Sequence, residues 1–216
     1  MYNTTIFEEK LLEILEKHPN ISEIVLANVS KPTAVMENLK LNFKIYIINY
    51  ESLFPFQNLY QTPNTLGIDR AVLAAGATLK FPNSNTLIID AGTCITYDYI
   101  NEKNQYLGGA ISPGLLLRYK SLNDYTANLP LLSPNYPKKR IGNNTFESIH
   151  SGVVNGLISE IEHIIDVFGN RYEKFNIILT GGDTLFLAKR LKNTIFANSN
   201  FLLESLILLH QYQQKK

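Results

Sequence analysis

The 216-residue sequence has a single cysteine, no tryptophan and almost no net charge. One cysteine, Cys94, excludes an internal disulfide and is typical of a protein from a reducing compartment. Twenty Lys and Arg oppose nineteen Asp and Glu, and the basic clusters at 138–140 and 215–216 are too short for a nucleic-acid-binding stripe. No apolar run approaches the ~20 residues that span a bilayer, and the N-terminus lacks a signal-peptide pattern. These absences predict a cytoplasmic protein that binds neither nucleic acid nor membrane.

Hydrophobic residues make up 45% of the chain, enough for one large core or two smaller ones. The N-terminal part alternates a helical pattern at 5–17, a β-branched run at 23–29, a helical stretch near 33–40 and a second β-branched run at 43–49. Residues 50–66 have the composition of a loop. This order is typical of an α/β fold in which helices cover a sheet.

The rest of the chain continues this alternation. Residues 86–100 and 106–112 predict three strands joined by tight turns, as in an antiparallel meander. Thr145 is a suitable N-cap for a long amphipathic helix that extends to about Phe168. Further elements are expected as follows: a helix from about Asp69, a helix that Pro113 and Gly114 begin and that runs to about Tyr125, a strand at 175–180, and helices at 184–191 and 201–212.

Three short loops carry residue types suited to chemistry, and the first is Asp90-Ala-Gly-Thr93. Asp90 at a strand end can hold a cation, Gly92 lets backbone N–H groups approach an anion, and the Thr93 hydroxyl can donate to a phosphate oxygen. The alternative is an ordinary turn in which Asp90 only accepts hydrogen bonds from the backbone of residues 92 and 93.

The second loop is Gly67-Ile-Asp69-Arg70, at the start of a predicted helix. Gly67 is expected to supply an unusual backbone angle. Asp69 is either a helix cap or a general base for a hydroxyl nucleophile, and Arg70 can hold a carboxylate or phosphate by its planar fork. Because an Asp ordinarily titrates near pH 4, such a base would accept the proton as the oxygen becomes bonded to phosphorus.

The third loop is Thr180-Gly-Gly-Asp183, between a strand and a helix. Its N–H groups favour a phosphate or the ribose end of a nucleotide, and the alternative is a plain connection with Asp183 as a cap. The four histidines are scattered and none lies in a metal-ligand spacing, so we expect no catalytic role for them; they are His18, His150, His163 and His210.

The order of these motifs is more specific than any one of them. Y-x6-GxDR is followed by D-x-GT, YLGGAISPG, TANLP, G-x2-T before a long helix, and TGGD. This order resembles the type III pantothenate kinases, which belong to the acetate and sugar kinase, Hsp70 and actin superfamily, and the resemblance covers residues 21–212. It implies an actin-like (ribonuclease H-like) α/β fold, and phosphorylation of pantothenate by ATP as the first step of coenzyme A synthesis.

The resemblance also implies residue roles, motif by motif. Asp69 resembles the catalytic base, Asp90 the ligand of a monovalent cation, K⁺ or NH₄⁺, and Thr93 a contact of the ATP phosphates. Residues expected to bind pantothenate are Tyr60, Gly67, Ile68, Asp69 and Arg70, together with Thr145 from the second subunit of a homodimer. Residues expected to bind the nucleotide, with its Mg²⁺, are Gly92, Thr93, Gly181 and Gly182.

The family pattern begins with a strand that ends in a D-x-G-N-T-x-x-K phosphate loop, and the 216 residues contain no such motif. We therefore expect an ordinary enzyme whose sequence is given from downstream of this loop, with the first strands of the N-terminal half missing. The expected subdomains are 1–82, completed by the C-terminal helix at 206–216, and 83–205. The alternatives are a non-catalytic pantothenate-binding or regulatory homologue, and another kinase of the superfamily, which would not explain Y-x6-GxDR.

Overall fold

The computed structural model describes residues 4–27, 39 and 42–216, with the backbone alone for 4–8. Apart from Leu39, the helix expected near 33–40 lies outside these residues. The N-terminal part contains helix α1 (Thr4–Lys17) and strands β1 (Glu23–Ala27) and β2 (Lys44–Ile48). The two strands pair in parallel, as the alternation of the sequence predicts.

The remaining strands form one six-stranded mixed sheet in the order β3-β6-β5-β4-β7-β8. Strands β4, β5 and β6 pair antiparallel, which confirms the predicted meander, and β7 pairs in parallel with β4. The strands are β3 (Gln57–Asn58), β4 (Thr86–Ala91), β5 (Cys94–Ile100), β6 (Gln105–Pro113), β7 (Asn176–Thr180) and β8 (Phe196–Ala197).

Helices cover both faces of this sheet. The helices are α2 (Ile68–Lys80), α3 (Leu115–Asp124), α4 (Thr145–His150), α5 (Gly156–Arg171), α6 (Thr184–Ala188) and α7 (Phe201–Gln214). A π-helical turn, Ser151–Asn155, joins α4 to α5, so that 145–171 is one continuous helical segment, as predicted. In the described part of the chain, no helix is long and apolar enough to cross a membrane.

Alternation along the central strands divides the core into two clusters. Leu87 and Ile89 of β4 point to the face covered by α4 and α5, where they join Ile149 and Leu157. Ile88, between them, points to the opposite face, where α2 and α7 lie. Because successive strand residues point to opposite faces, Asp90 and Asp98 share the α2 face with Ile88.

Several elements differ from expectation in length or boundary. Strand β3 lies within the stretch 50–66 that was predicted as loop, and β8 lies in a stretch for which no element was predicted, because two paired residues leave no periodic pattern. Helix α6 ends at Ala188 rather than residue 191. Pro113 belongs to the end of β6, and Gly114 is the N-cap of the following helix.

Helices α2 and α7 cross at close range on the second face. Gly76 of α2 lies against Ser205 of α7, and a Cβ on Gly76 would sit only 2.9 Å from the Ser205 Cα. Lys80 forms an ion pair with Glu204 one turn away. The missing side chain at Gly76 therefore sets the distance between the two helices, since the obstructing atoms include backbone.

We predict that Gly76→Ala destabilises the protein despite the better helix propensity of alanine. The propensity gain is about 1 kcal/mol, and overpacking costs about 1–3 kcal/mol, so the expected net loss is up to about 2 kcal/mol. Urea unfolding measures it. Gly156→Ala is the matched control, because no atom lies within 4 Å of its Cβ position. Equal stability of the two variants would contradict the close crossing.

Candidate active site

Three carboxylates lie close together where α2 begins over the central sheet. Asp90 is near the end of β4, and Asp98 of β5 lies opposite Ile88, two residues earlier on β4. Asp69 is in the first turn of α2. The charges of both Asp69 and Asp98 act on Asp90. The structure therefore brings the Gly67–Arg70 and Asp90–Thr93 loops to one site.

Asp90 occupies an environment that disfavours its charged form. Burial first, and then the negative charges of Asp69 and Asp98, raise the pKa of Asp90 to about 6. Among the described residues none donates a hydrogen bond to its carboxylate, so the expected alternative, a turn closed by Asp90 on residues 92 and 93, does not form. A carboxylate without protein donors, beside two others, is suited to a bound cation.

The third loop lies directly beside Asp90. Strands β4 and β7 are parallel and place Asp90 opposite Thr180, so the two loops leave the sheet at the same edge. Gly181 has a φ of +92°, and a Cβ there would overlap the backbone of Ala91 and the carboxylate of Asp90. The Asp183 N–H donates to the Ala91 carbonyl at 3.0 Å, which fixes the two loops together.

The residues expected to meet a nucleotide differ in their freedom to do so. Gly182 has no atom within 4 Å of its Cβ position, and Thr93 is exposed. The Gly92 N–H, however, donates to the Cys94 carbonyl at 2.9 Å and does not point outward in this conformation. Asp183 makes no side-chain cap bond to α6, and burial raises its pKa.

Asp69 is held by its own helix. Its Oδ1 accepts the Arg70 N–H at 2.8 Å, and its side chain is half-buried. The N-cap is Gly67, whose φ of −54° is ordinary, so the expectation of an unusual backbone angle is wrong. A Cβ there would collide with Oδ1 of Asp69, so a side chain at residue 67 would displace that carboxylate.

Arg70 is paired inside the protein. Its Nε and Nη2 donate to Oδ1 of Asp98 at 3.0 and 2.7 Å, and Arg70 and Asp98 are only 6% and 0% exposed. Burial alone would lower the pKa of Arg70, but the hydrogen bond and charge of Asp98 raise it. The sequence left Asp98 unassigned. The signal that could have found it is strand alternation, which places Asp98 of β5 on the same face of the sheet as Asp90 of β4.

Tyr60 and Ile68 complete this side of the site in different ways. The Tyr60 ring lies 5.9 Å from the Arg70 guanidinium carbon, in cation–π range. It also packs at Gly108, whose φ is +105°. Ile68 is 3% exposed and belongs to the core cluster, so its side chain is not available to a ligand.

Thr145 lies on the other side of the sheet from this group. It is exposed at the start of α4, which packs with Ile149 on the opposite face. The expectation that Thr145 caps the helix is wrong, because Asn144 is the N-cap and its side chain accepts the Glu147 N–H at 3.0 Å. Asparagine and threonine are both good caps, and the sequence alone does not separate them.

The described residues around Asp90 do not form a ready multidentate metal site. In the portion of the chain that the structure describes, no group of three or more His, Cys, Asp or Glu side chains is arranged to hold a metal ion. Asp90 offers a single, partly buried carboxylate with no protein donor. The open surface at Gly182 and the exposed Thr93 leave room for phosphates beside it.

Comparison with known proteins identifies the family. The model of the family described as type III pantothenate kinase matches residues 3–167. The chain belongs to this family. The type III pantothenate kinase of Flavobacterium johnsoniae is 57% identical over 95% of this chain and 85% of its own length. That of Flavobacterium psychrophilum is 54% identical over 99% of this chain and 92% of its own.

A solved structure supports the fold expected of a type III pantothenate kinase. The crystal structure described as a conserved Baf family transcriptional activator from Campylobacter jejuni matches with a TM-score of 0.65 and 24% identity. The match covers 95% of this chain and 89% of that one. The chain thus has the actin-like α/β fold. The division into subdomains 1–82 and 83–205 stays a prediction.

The raised pKa of Asp90 predicts a pH-dependent stability. The pKa of Asp90 is 3.8 in the unfolded chain and about 6 in the folded protein. Below pH 4 Asp90 therefore costs the fold no stability, and the cost of its ionisation grows as the pH rises through 6. Asp90→Asn should therefore become more stable relative to wild type from pH 4 to 7, by at most roughly 2–3 kcal/mol. Urea unfolding in tetramethylammonium buffer measures this.

Asp124→Asn is the control for this experiment, because Asp124 is exposed at the end of α3. Its difference from wild type should stay constant across the same pH range. A constant difference for Asp90→Asn as well would contradict the environment described for Asp90.

Proposed function

We propose that the protein phosphorylates the primary hydroxyl of pantothenate with ATP, the first step of coenzyme A synthesis, in the cytoplasm. The observation that carries this proposal is the convergence of Asp69, Arg70 and Asp90 beside the 180–183 loop. Pantothenate is an anion with a primary alcohol. Its site needs a cation for the carboxylate, a base for the hydroxyl and a cradle for phosphate, and this edge of the sheet has a candidate for each.

Asp69 is the proposed general base. A free alcohol is a much weaker acid than a carboxylic acid, so the proton moves to the Asp69 carboxylate as the bond between oxygen and the γ-phosphorus forms. The bond between that phosphorus and the leaving oxygen of ADP breaks in the same step. The Arg70 N–H that binds Asp69 Oδ1 orients the carboxylate and leaves its other oxygen available.

The proposed nucleotide contacts lie on the other two loops. Thr93 donates to a phosphate oxygen, and Gly181 and Gly182 allow the 180–183 loop to approach the nucleotide. Gly92 joins them once its N–H exchanges the Cys94 carbonyl for phosphate. ATP brings its Mg²⁺, and K⁺ or NH₄⁺ at Asp90 supplies positive charge at the phosphates when bound.

We further propose a homodimer in which Thr145 closes over the pantothenate of the partner. Thr145 is exposed and begins a helix on the face opposite Asp69, which is compatible with a role in a second protomer's site. Pantothenate then contacts Tyr60, the backbone of residues 67 and 68, and Arg70 from one protomer.

A second candidate function is pantothenate binding without catalysis. The observation behind it is that the Gly92 N–H donates to the Cys94 carbonyl at 2.9 Å, so in this conformation it is not presented to a phosphate. In this superfamily two phosphate loops face each other, and the Asp90–Thr93 loop is one of them. This candidate keeps the Tyr60–Arg70 side of the site and loses nucleotide affinity. Calorimetric titration with ATP and pantothenate separately distinguishes the two functions.

We predict that Asp69→Asn lowers phosphopantothenate formation about 10²- to 10⁴-fold, the usual contribution of a general base, with pantothenate affinity nearly unchanged. Coupled ADP release and calorimetry measure the two quantities. Asp124→Asn is the control and should behave as wild type. Unchanged turnover in Asp69→Asn would contradict the assignment of the base. A wild-type chain that binds pantothenate but neither ATP nor product would favour the second candidate.

The subunit arrangement has a complementation test. Asp69→Asn and Thr145→Ala should each be impaired alone, but a mixed dimer contains one site with Asp69 from one protomer and Thr145 from the other. Activity after unfolding and refolding the two variants together should exceed that of either alone. If Thr145 serves the site of its own protomer, mixing restores nothing.

A further inference from the structure

We propose that Asp98 is a positioning residue that holds one edge of the Arg70 guanidinium, so that the opposite edge is presented to the carboxylate of the substrate. The inference rests on the proposed function, since it concerns how the same site recognises an anionic substrate. It assigns a role to a residue that lies outside all the motif positions expected to contact ligands.

The Asp98 carboxylate is surrounded by donors. Its Oδ1 accepts from Arg70 Nε, from Arg70 Nη2 and from the Tyr106 hydroxyl, the last at 2.6 Å, and its Oδ2 accepts from Thr96 Oγ1 at 3.1 Å. Asp98 is 0% exposed. The guanidinium therefore cannot turn without losing its hydrogen bonds to this buried carboxylate.

The pairing decides which part of Arg70 is left for a ligand. A guanidinium has two edges that can each bind a carboxylate in bidentate fashion, one made of Nε and Nη2 and one of Nη1 and Nη2. Asp98 takes the first edge. Both Nη1 hydrogens and one Nη2 hydrogen remain, so the edge that holds the substrate is the terminal one, beside the Tyr60 ring.

Surrounding atoms limit the alternative orientations of the guanidinium. A Cβ at Gly109 would lie 3.0 Å from Arg70 Nη2 and would overlap the Tyr97 carbonyl, so glycine is required where β6 passes the guanidinium. Tyr60 lies over it at 5.9 Å. Arg70 is therefore preorganised, and a rigid donor loses less conformational entropy on binding its ligand than a mobile one.

Two buried tyrosines make a matched test of this role. The Tyr106 hydroxyl donates to Asp98 on the α2 face, and the Tyr97 hydroxyl donates to Glu160 on the opposite face at 2.8 Å. Both side chains are 0% exposed. Tyr106→Phe should weaken pantothenate binding, measured by calorimetry, about 3- to 10-fold, the net value of a typical hydrogen bond. Tyr97→Phe should lower stability similarly and leave pantothenate affinity unchanged.

A double-mutant cycle separates positioning from direct contact. Asp98→Asn and Arg70→Lys should each weaken pantothenate binding about 10- to 100-fold, because a misplaced donor loses its geometry. If Asp98 acts through Arg70, the double variant should bind within about 2-fold of the weaker single variant. Melting temperatures report whether each variant is folded.

The outcomes divide as follows. The positioning role is overturned if the factors by which the two single variants weaken pantothenate binding multiply in the double variant. It is also overturned if Tyr106→Phe and Tyr97→Phe weaken that binding equally. Both outcomes leave the proposed function in place. If Asp98→Asn does not fold, the tyrosine pair alone decides the question. A wild-type chain that does not bind pantothenate overturns the proposed function, and this inference falls with it.

Discussion

The ion pair between Arg70 and Asp98 fixes the start of α2 on the central sheet, and the rest of the site depends on that placement. Asp69 precedes Arg70 in the same helical turn, so its carboxylate is located once Arg70 is anchored to β5. A buried pair of this kind adds little net stability, because desolvating two charges offsets much of their attraction. Its value is geometric, since it ties the first turn of α2 to β5.

Glycines determine how closely the loops of the site approach one another and the aspartates. Gly181 is required because its φ is +92° and a Cβ would strike the backbone of Ala91 as well as Asp90, and a Cβ on Gly67 would displace the Asp69 carboxylate. Gly114 likewise lies against the carbonyl of Thr93, to which its N–H donates at 3.0 Å. The loops therefore pack backbone against backbone at the edge of the sheet, and the carboxylates are held without large side chains that would fill the space needed by a ligand.

Local patterns in the sequence predicted the helices and strands. The contacts between residues far apart in the chain depend on tertiary packing and could not be predicted from those patterns. The meander and the long helix from 145 follow from alternation and helical periodicity, both of which are local. The role of Asp98 depends on which helix covers its face of β5, and the partner, Arg70, is 28 residues away in the chain. Gly67 was expected to serve a backbone angle, because the approach of the Asp69 side chain to it is visible only in three dimensions.

The charge balance of the site gives a reason for a monovalent cation. Of the three neighbouring carboxylates, Asp98 is neutralised by Arg70, while Asp69 accepts only a backbone N–H and Asp90 has no donor among the described residues. Because the pKa of Asp90 is about 6, its carboxylate is mostly ionised at pH 7. This uncompensated negative charge lies where the proposed nucleotide would add more negative charge. A single cation bound at Asp90, as proposed above, would replace that proton, so a proton and a cation would compete for the same carboxylate. In the proposed complex, phosphate binding and occupancy of the cation site would each reduce the electrostatic cost of the other.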